Sequence, residues 1–137
     1  MQIGVEASRA VENKRVFVVE PEDVTRAALQ FMLHDEYETH EVRNLDAAAQ
    51  KGREHRPDLI LRGLAVLQER GTAVMAELKR LFPGVGIVVV AESNGATAVE
   101  DLLRAGADDV LRKPFRLEAV RERVGHHLER ARKGCAA

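Results

Sequence analysis

The chain has 137 residues, enough for one domain around one core. Hydrophobic residues make up 45% and charged residues 31%, and the net charge is −1. That balance excludes a disordered chain and gives no bulk field toward nucleic acid or an anionic membrane. With 4% aromatics and no Trp, platforms for stacking bases or sugars are scarce. No apolar run reaches the ~18 residues of a membrane span. The opening MQIGVEASRAVENKR lacks the continuous apolar core of a signal peptide. The single cysteine, Cys135, can form no internal disulfide and reads as an incidental thiol. A cytoplasmic location is expected.

Residues 1–13 read as a lead-in. Val16–Val19 is a short apolar run of β-formers, read as a buried strand and ended by Pro21. Residues 22–34 carry Val24, Ala27, Ala28, Phe31 and Met32 at helical spacing, so these are expected to face inward. Tyr37–Val42 makes a second strand. Residues 45–55 form a helix with Leu45, Ala48 and Ala49 inward, and Asp46 is either its cap or a first-turn acid. Asp58–Leu61 is the third strand, and a helix over 65–81 buries Met75, Leu78 and Leu81. Ile87–Ala91 is the strongest strand signal. Ser93–Gly95 is a loop, and a helix over 96–105 turns Val99, Leu102 and Leu103 inward before Gly106 closes it. Val110–Leu111 is the last strand, Lys113–Pro114 a loop, and Leu117–Arg132 an amphipathic helix on Leu117, Val120, Val124 and Leu128.

Strict strand–helix alternation implies a three-layer, doubly wound α/β fold. Five parallel strands are expected in the flavodoxin-like order 2-1-3-4-5. In such sheets ligand chemistry sits at the carboxyl edge, at the switch between strands 1 and 3. Glu20, Gly63, Ala91 and Lys113 should meet there. The domain is placed at 14–130, with 131–137 as a tail.

Three stretches, VVEPED, PDLIL and AGADDVLRKPF, then carry a family likeness. The sequence resembles the receiver domain of two-component response regulators over nearly the whole chain. The resemblance implies an acidic pair after strand 1 holding Mg²⁺, and a phosphoacceptor aspartate ending strand 3. It also implies a Thr or Ser after strand 4 and a lysine in the strand 5 loop that bind the phosphoryl oxygens, and a strand 5 aromatic that swings inward. In the family the lysine is followed by a cis proline.

Matched residue by residue, most of these parts are missing. The acidic pair falls on Glu20 and Pro21, the acceptor on Gly63, the Thr/Ser position on Ala91 and the aromatic on Val110. The proline usual after the acceptor falls on Leu67, while a family glycine matches Gly71. Lys113, Pro114 and Phe115 remain. The expectation is a phosphorylation-independent pseudo-receiver that is not an enzyme, binds no Mg²⁺ and takes no other cofactor. It would act by protein–protein contact in a bacterial two-component pathway.

The alternative is a phosphorylatable receiver in a phosphorelay. A small flavodoxin-like binding domain or enzyme is disfavoured, since neither GxGxxG nor GxxxxGK[ST] occurs. Arg62, Glu20, Glu22 and Lys113 are expected to fill the vacated cleft with ion pairs. Arg112, Glu118, Arg121 and Glu122 are candidates for a homodimer interface on the face of helix 4, strand 5 and helix 5. Other signalling proteins or effector domains are the expected partners, with no direct nucleic acid or membrane contact. Asp58 lies at the wrong edge to be an acceptor. Asp108–Asp109 reads as a turn, His34, His40 and His55 as solvated surface, and His126–His127 as adjacent residues facing different ways that lack the i, i+4 partner of a metal site.

Overall fold

The computed structural model describes residues 14–63, 73–91, 99–113 and 116–136. The lead-in, the first half of the helix expected over 65–81, Leu67, Gly71, the Ser93–Gly95 loop, Pro114 and Phe115 lie outside them, as does the Cys135 side chain. The described elements are β1 (Arg15–Val19), α1 (Asp23–Leu33), β2 (Glu38–Val42), α2 (Leu45–Glu54) and β3 (Leu59–Gly63). After them come α3 (Ala73–Leu81), β4 (Gly86–Ala91), α4 (Val99–Arg104), β5 (Asp109–Arg112) and α5 (Leu117–Ala136). The five strands form one parallel sheet in the order β2-β1-β3-β4-β5. Among the described residues no helix is long and apolar enough to cross a membrane.

Alternation along the strands divides the core into two layers. Val16, Val18, Leu59, Leu61, Val88 and Val90 face one side, under Leu29 and Leu33 of α1 and Val120, Val124 and Leu128 of α5. Phe17, Val19, Ile60, Ile87 and Val89 face the other, against α2, α3 and α4. Both faces are covered, which is why β4 is apolar without alternation and both β3 and β4 are buried throughout, Arg62 of β3 included.

Several helix faces differ from the expected ones. In α1 the buried residues are Thr25, Arg26, Leu29 and Leu33, while Val24 is 78% and Phe31 71% exposed. The stripe that wins contains a threonine and an arginine. Their burial is compensated by hydrogen bonds, and Leu29 and Leu33 supply the apolar contact with β1 and β3. Leu81, Leu103 and Leu117 are also substantially exposed, whereas Met75, Leu78, Leu102, Val120, Val124 and Leu128 are buried as expected. The cap of α2 is Asn44, whose side chain accepts from Ala47 N at 2.8 Å, leaving Asp46 as a first-turn acid. Gly106 closes α4 at φ +125°, a backbone state that favours glycine.

The edge strand β2 is fastened by polar contacts. Arg15 Nε donates to Glu38 Oε2 at 2.5 Å, and His40 Nε2 lies 2.7 Å from the same oxygen. The His40 ring meets Phe17 edge-on at 5.6 Å and stacks on His55 at 5.8 Å, so His40 is half-buried rather than a solvated surface residue. The Arg15 hydrogen bond, then the His40 one, hold the Glu38 carboxyl at about 2, against the opposing effect of burial. Glu38 is therefore more acidic folded than unfolded. Its contribution is complete above the unfolded pKa of roughly 4.3 and disappears as pH falls towards about 2. The pair is partly exposed, so the effect is modest and weakens with salt. Glu38→Gln is expected to flatten stability against pH between about 5 and 2, as read by urea denaturation at stepped pH. An unchanged slope would show that the contact carries no linkage.

Candidate functional site

At the carboxyl edge the chain leaves β1 at Glu20, whose N–H still donates to Val42 O at 3.1 Å. Pro21, which has no N–H to extend the ladder, then turns it into solvent. Glu20 is only 8% exposed. Its Oε2 accepts the Glu22 N–H at 2.7 Å. Its Oε1 lies where a side chain on Gly63 would begin, so a Cβ built there collides with it and sits 3.0 Å from Glu20 Cδ. The position matched to the acceptor is thus filled by the carboxylate of the residue that starts the neighbouring loop.

Arg26, which the sequence reading passed over, fastens that loop from the other side. It is buried; Nη1 donates to Glu20 O at 2.7 Å, Nη2 meets Asp23 Oδ1 at 2.5 Å, and Nε reaches Glu41 Oε1 at 3.3 Å. One guanidinium therefore joins the end of β1, the first turn of α1 and strand β2. Its spacing of six residues from Glu20 was the available signal. A buried cation about one turn into a helix points back at the loop preceding it.

Lys113 follows β5, and its N–H donates to Ala91 O at 2.9 Å. Its ammonium turns toward the start of α1, 3.3 Å from Thr25 Oγ1 and 3.6 Å from Glu22 Oε1. Thr25 Oγ1 also donates to Glu22 Oε1. The Thr25 hydroxyl first, and the Lys113 charge second, hold the Glu22 carboxyl below its usual range. Among the described residues Lys113 thus pairs with Glu22, at the mouth of the cleft, while Glu20 lies deeper.

Arg62 does not join them. Its cross-strand partners are Val19 and Val89, and it follows Ile60 by two residues, so it lies on the α2–α3–α4 side of the sheet. Gly63, Glu20 and α1 are on the other side. The expected convergence of Arg62 with Glu20 and Glu22 is therefore corrected by strand alternation. The side chain is completely buried, the largest among the described residues to be so.

Ala91 and Val110 are buried in the same layer as Arg62. Neither brings a hydroxyl or a ring to the edge. Among the interface candidates, Arg112, Glu118 and Glu122 are exposed. Arg121 instead folds back on its own chain, donating from Nε to Met32 O at 2.9 Å and pairing with Glu36 at 3.5 Å.

The remaining acids are structural. Asp58 Oδ2 accepts the Arg15 N–H at 2.8 Å, and Asp108 Oδ2 accepts the Ile87 N–H at 2.8 Å, each pinning the opposite, amino edge. Asp109 is clasped by α5: Arg123 Nη1 lies 2.7 Å from Oδ1 and His127 Nε2 2.9 Å from Oδ2. Burial pushes the Asp109 carboxyl up, but His127, the Val110 N–H and Arg123 together bring it below its ordinary value. His127 is thereby a buried partner of Asp109, whereas His126 is exposed, so the two adjacent rings face different ways as expected. Among the described residues no group of three or more His, Cys, Asp or Glu is arranged to hold a metal ion.

Comparison with known proteins agrees with this geometry. Residues 16–125 match the family described as the response regulator receiver domain. The chemotaxis protein CheY of Halobacterium salinarum is 25% identical over 116 residues, covering 84% of this chain and 97% of that protein. The probable C4-dicarboxylate response regulator DctR of Halalkalibacterium halodurans is 31% identical over 83 residues, covering 61% of this chain but 36% of that longer protein. Among solved structures, a response regulator receiver modulated diguanylate cyclase from Pelobacter carbinolicus superposes with a TM-score of 0.75 at 25% identity, covering 90% of this chain and 99% of that one. The strand order, the edge at which Glu20, Gly63 and Lys113 gather, and the family match over 16–125 agree: the chain belongs to the response regulator receiver domain family.

Proposed function

We propose that this chain is a pseudo-receiver, a receiver fold that signals through protein contacts without being phosphorylated. The observation that carries the reading is at Gly63: the acceptor position has no side chain, and Glu20 Oε1 occupies the space where one would begin. The donor set supports it. Pro21 offers no carboxylate, Glu20 Oε2 is engaged by the Glu22 N–H, and Glu22 is engaged by Thr25 and Lys113. These residues do not fit Mg²⁺, which needs several free oxygen ligands in near-octahedral geometry. Lys113 retains its family position but serves as the partner of Glu22.

The chain would act in a bacterial two-component-type pathway, in the cytoplasm, and would not be an enzyme. Its partners would be another signalling protein or an effector domain. A second copy is also proposed, meeting it through the α4–β5–α5 face where Arg112, Glu118 and Glu122 are exposed.

Incubation with acetyl phosphate and Mg²⁺, followed by intact-mass measurement, is expected to show no phosphoryl increment. Beryllofluoride with Mg²⁺ is expected to leave the amide NMR spectrum unchanged. A stoichiometric adduct, or shifts confined to Glu20–Thr25 and Lys113, would instead establish a phosphorylatable receiver.

A further inference from the structure

We infer that Glu20 is a tethered internal occupant of the acceptor position, and that Glu20 and Gly63 are a coupled pair, each tolerable only because of the other. This rests on the pseudo-receiver reading and extends it from an absent side chain to a filled cleft. Three contacts hold the occupant. The Glu22 N–H takes Oε2 at 2.7 Å. Arg26 Nη1 fixes the Glu20 carbonyl at 2.7 Å. Gly63, buried in a regular strand, leaves the volume that Oε1 enters. The side chain is 8% exposed and hydrogen-bonded, so leaving the hole means giving up the Glu22 N–H and moving towards water. The cleft is therefore closed from inside by a contact that holds the β1–α1 loop.

The consequence is a change of sign between two backgrounds. Gly63 does not have positive φ, so its backbone accepts alanine without strain. In the native chain a Cβ at Gly63 displaces Glu20, so Gly63→Ala should lower the melting temperature by several degrees. In Glu20→Ala the space is vacant. There the same Gly63→Ala should raise the melting temperature, because it fills the hole and restricts the unfolded chain.

The experiment measures thermal midpoints of the intact chain for G63A, E20A, E20A/G63A, E20Q and E20Q/G63A, with amide NMR of Glu22. Gln keeps the bulk of Glu20, so G63A should remain destabilising in E20Q. In G63A alone, the Glu22 amide proton should move upfield as it loses the carboxylate. Equal effects of G63A in the native and E20A backgrounds, or an unmoved Glu22 amide in G63A, would overturn the coupling. If E20A fails to fold, the E20Q pair and the Glu22 amide decide alone. A phosphoryl adduct on the native chain would overturn the pseudo-receiver reading; its absence together with additive midpoints would overturn only the occupancy of the cleft by Glu20.

Discussion

Arg62→Ala is expected to destabilise the fold by about 3–5 kcal/mol, the largest loss from any single truncation at the sheet. Arg62 is completely buried in β3, the central strand, between Val19 of β1 and Val89 of β4. Removing everything beyond Cβ leaves a cavity larger than a leucine truncation would, between the sheet and the α2–α3–α4 layer. Against a total stability of roughly 5–15 kcal/mol the change is severe. Urea denaturation at neutral pH measures it, with an unchanged slope expected if the native state stays compact. Arg62→Met keeps much of the stem volume and should lose less. A midpoint for R62A close to the native one would show that the burial of this guanidinium is energetically neutral.

The second large effect is expected at Gly63. Gly63→Asp looks on paper like restoration of the acceptor, yet the new Cβ alone collides with Glu20 Oε1. Two carboxylates would then share one buried space. Either one of them stays protonated or Glu20 swings out and gives up the Glu22 N–H. The cost is about 2–3 kcal/mol at neutral pH. A carboxyl whose folded pKa is raised destabilises above that pKa, and the penalty fades as pH falls below the unfolded value of roughly 4. Denaturation of G63D and the native chain at pH 7 and pH 4 should therefore show the gap narrowing in acid. The same variant should still take no phosphoryl group from acetyl phosphate, because Pro21 supplies no metal ligand. A gap that stays constant with pH would mean that the two carboxylates do not meet.

The sequence made the architecture plain because alternating strands and helices fix a parallel sheet with few topologies, and the apolar runs at Val16 and Ile87 fix its centre. The strands are one or two residues longer than their apolar runs, as at Arg62–Gly63, where ladder bonds continue regardless of side chain. The face of α1 was misread because Val24 and Phe31 outrank Thr25 and Arg26 in hydrophobicity. What buries Arg26 is a carbonyl, an aspartate and a glutamate brought together only by the fold. At the site, counting along β3 located Gly63. That Glu20 enters the space above it depends on the backbone of the β1–α1 loop, which no count supplies. The side of Arg62 was legible: it stands two residues from Ile60 and next to Gly63, so alternation alone separates it from the cleft.

The clasp on Asp109 draws on residues beyond the family match. The family match runs to residue 125, yet His127 and Leu128 lie beyond it. One is the buried partner of Asp109 and the other closes the layer under α1 and α5. A fragment trimmed at the family boundary would keep every residue of the cleft and both ends of the sheet. It would leave a carboxylate at the head of β5 with one of its two α5 partners missing, and an uncovered floor beside Val124. A recombinant piece of this protein that keeps His127 and Leu128 therefore keeps the grip of the last helix on the last strand, which one ending at the family boundary loses.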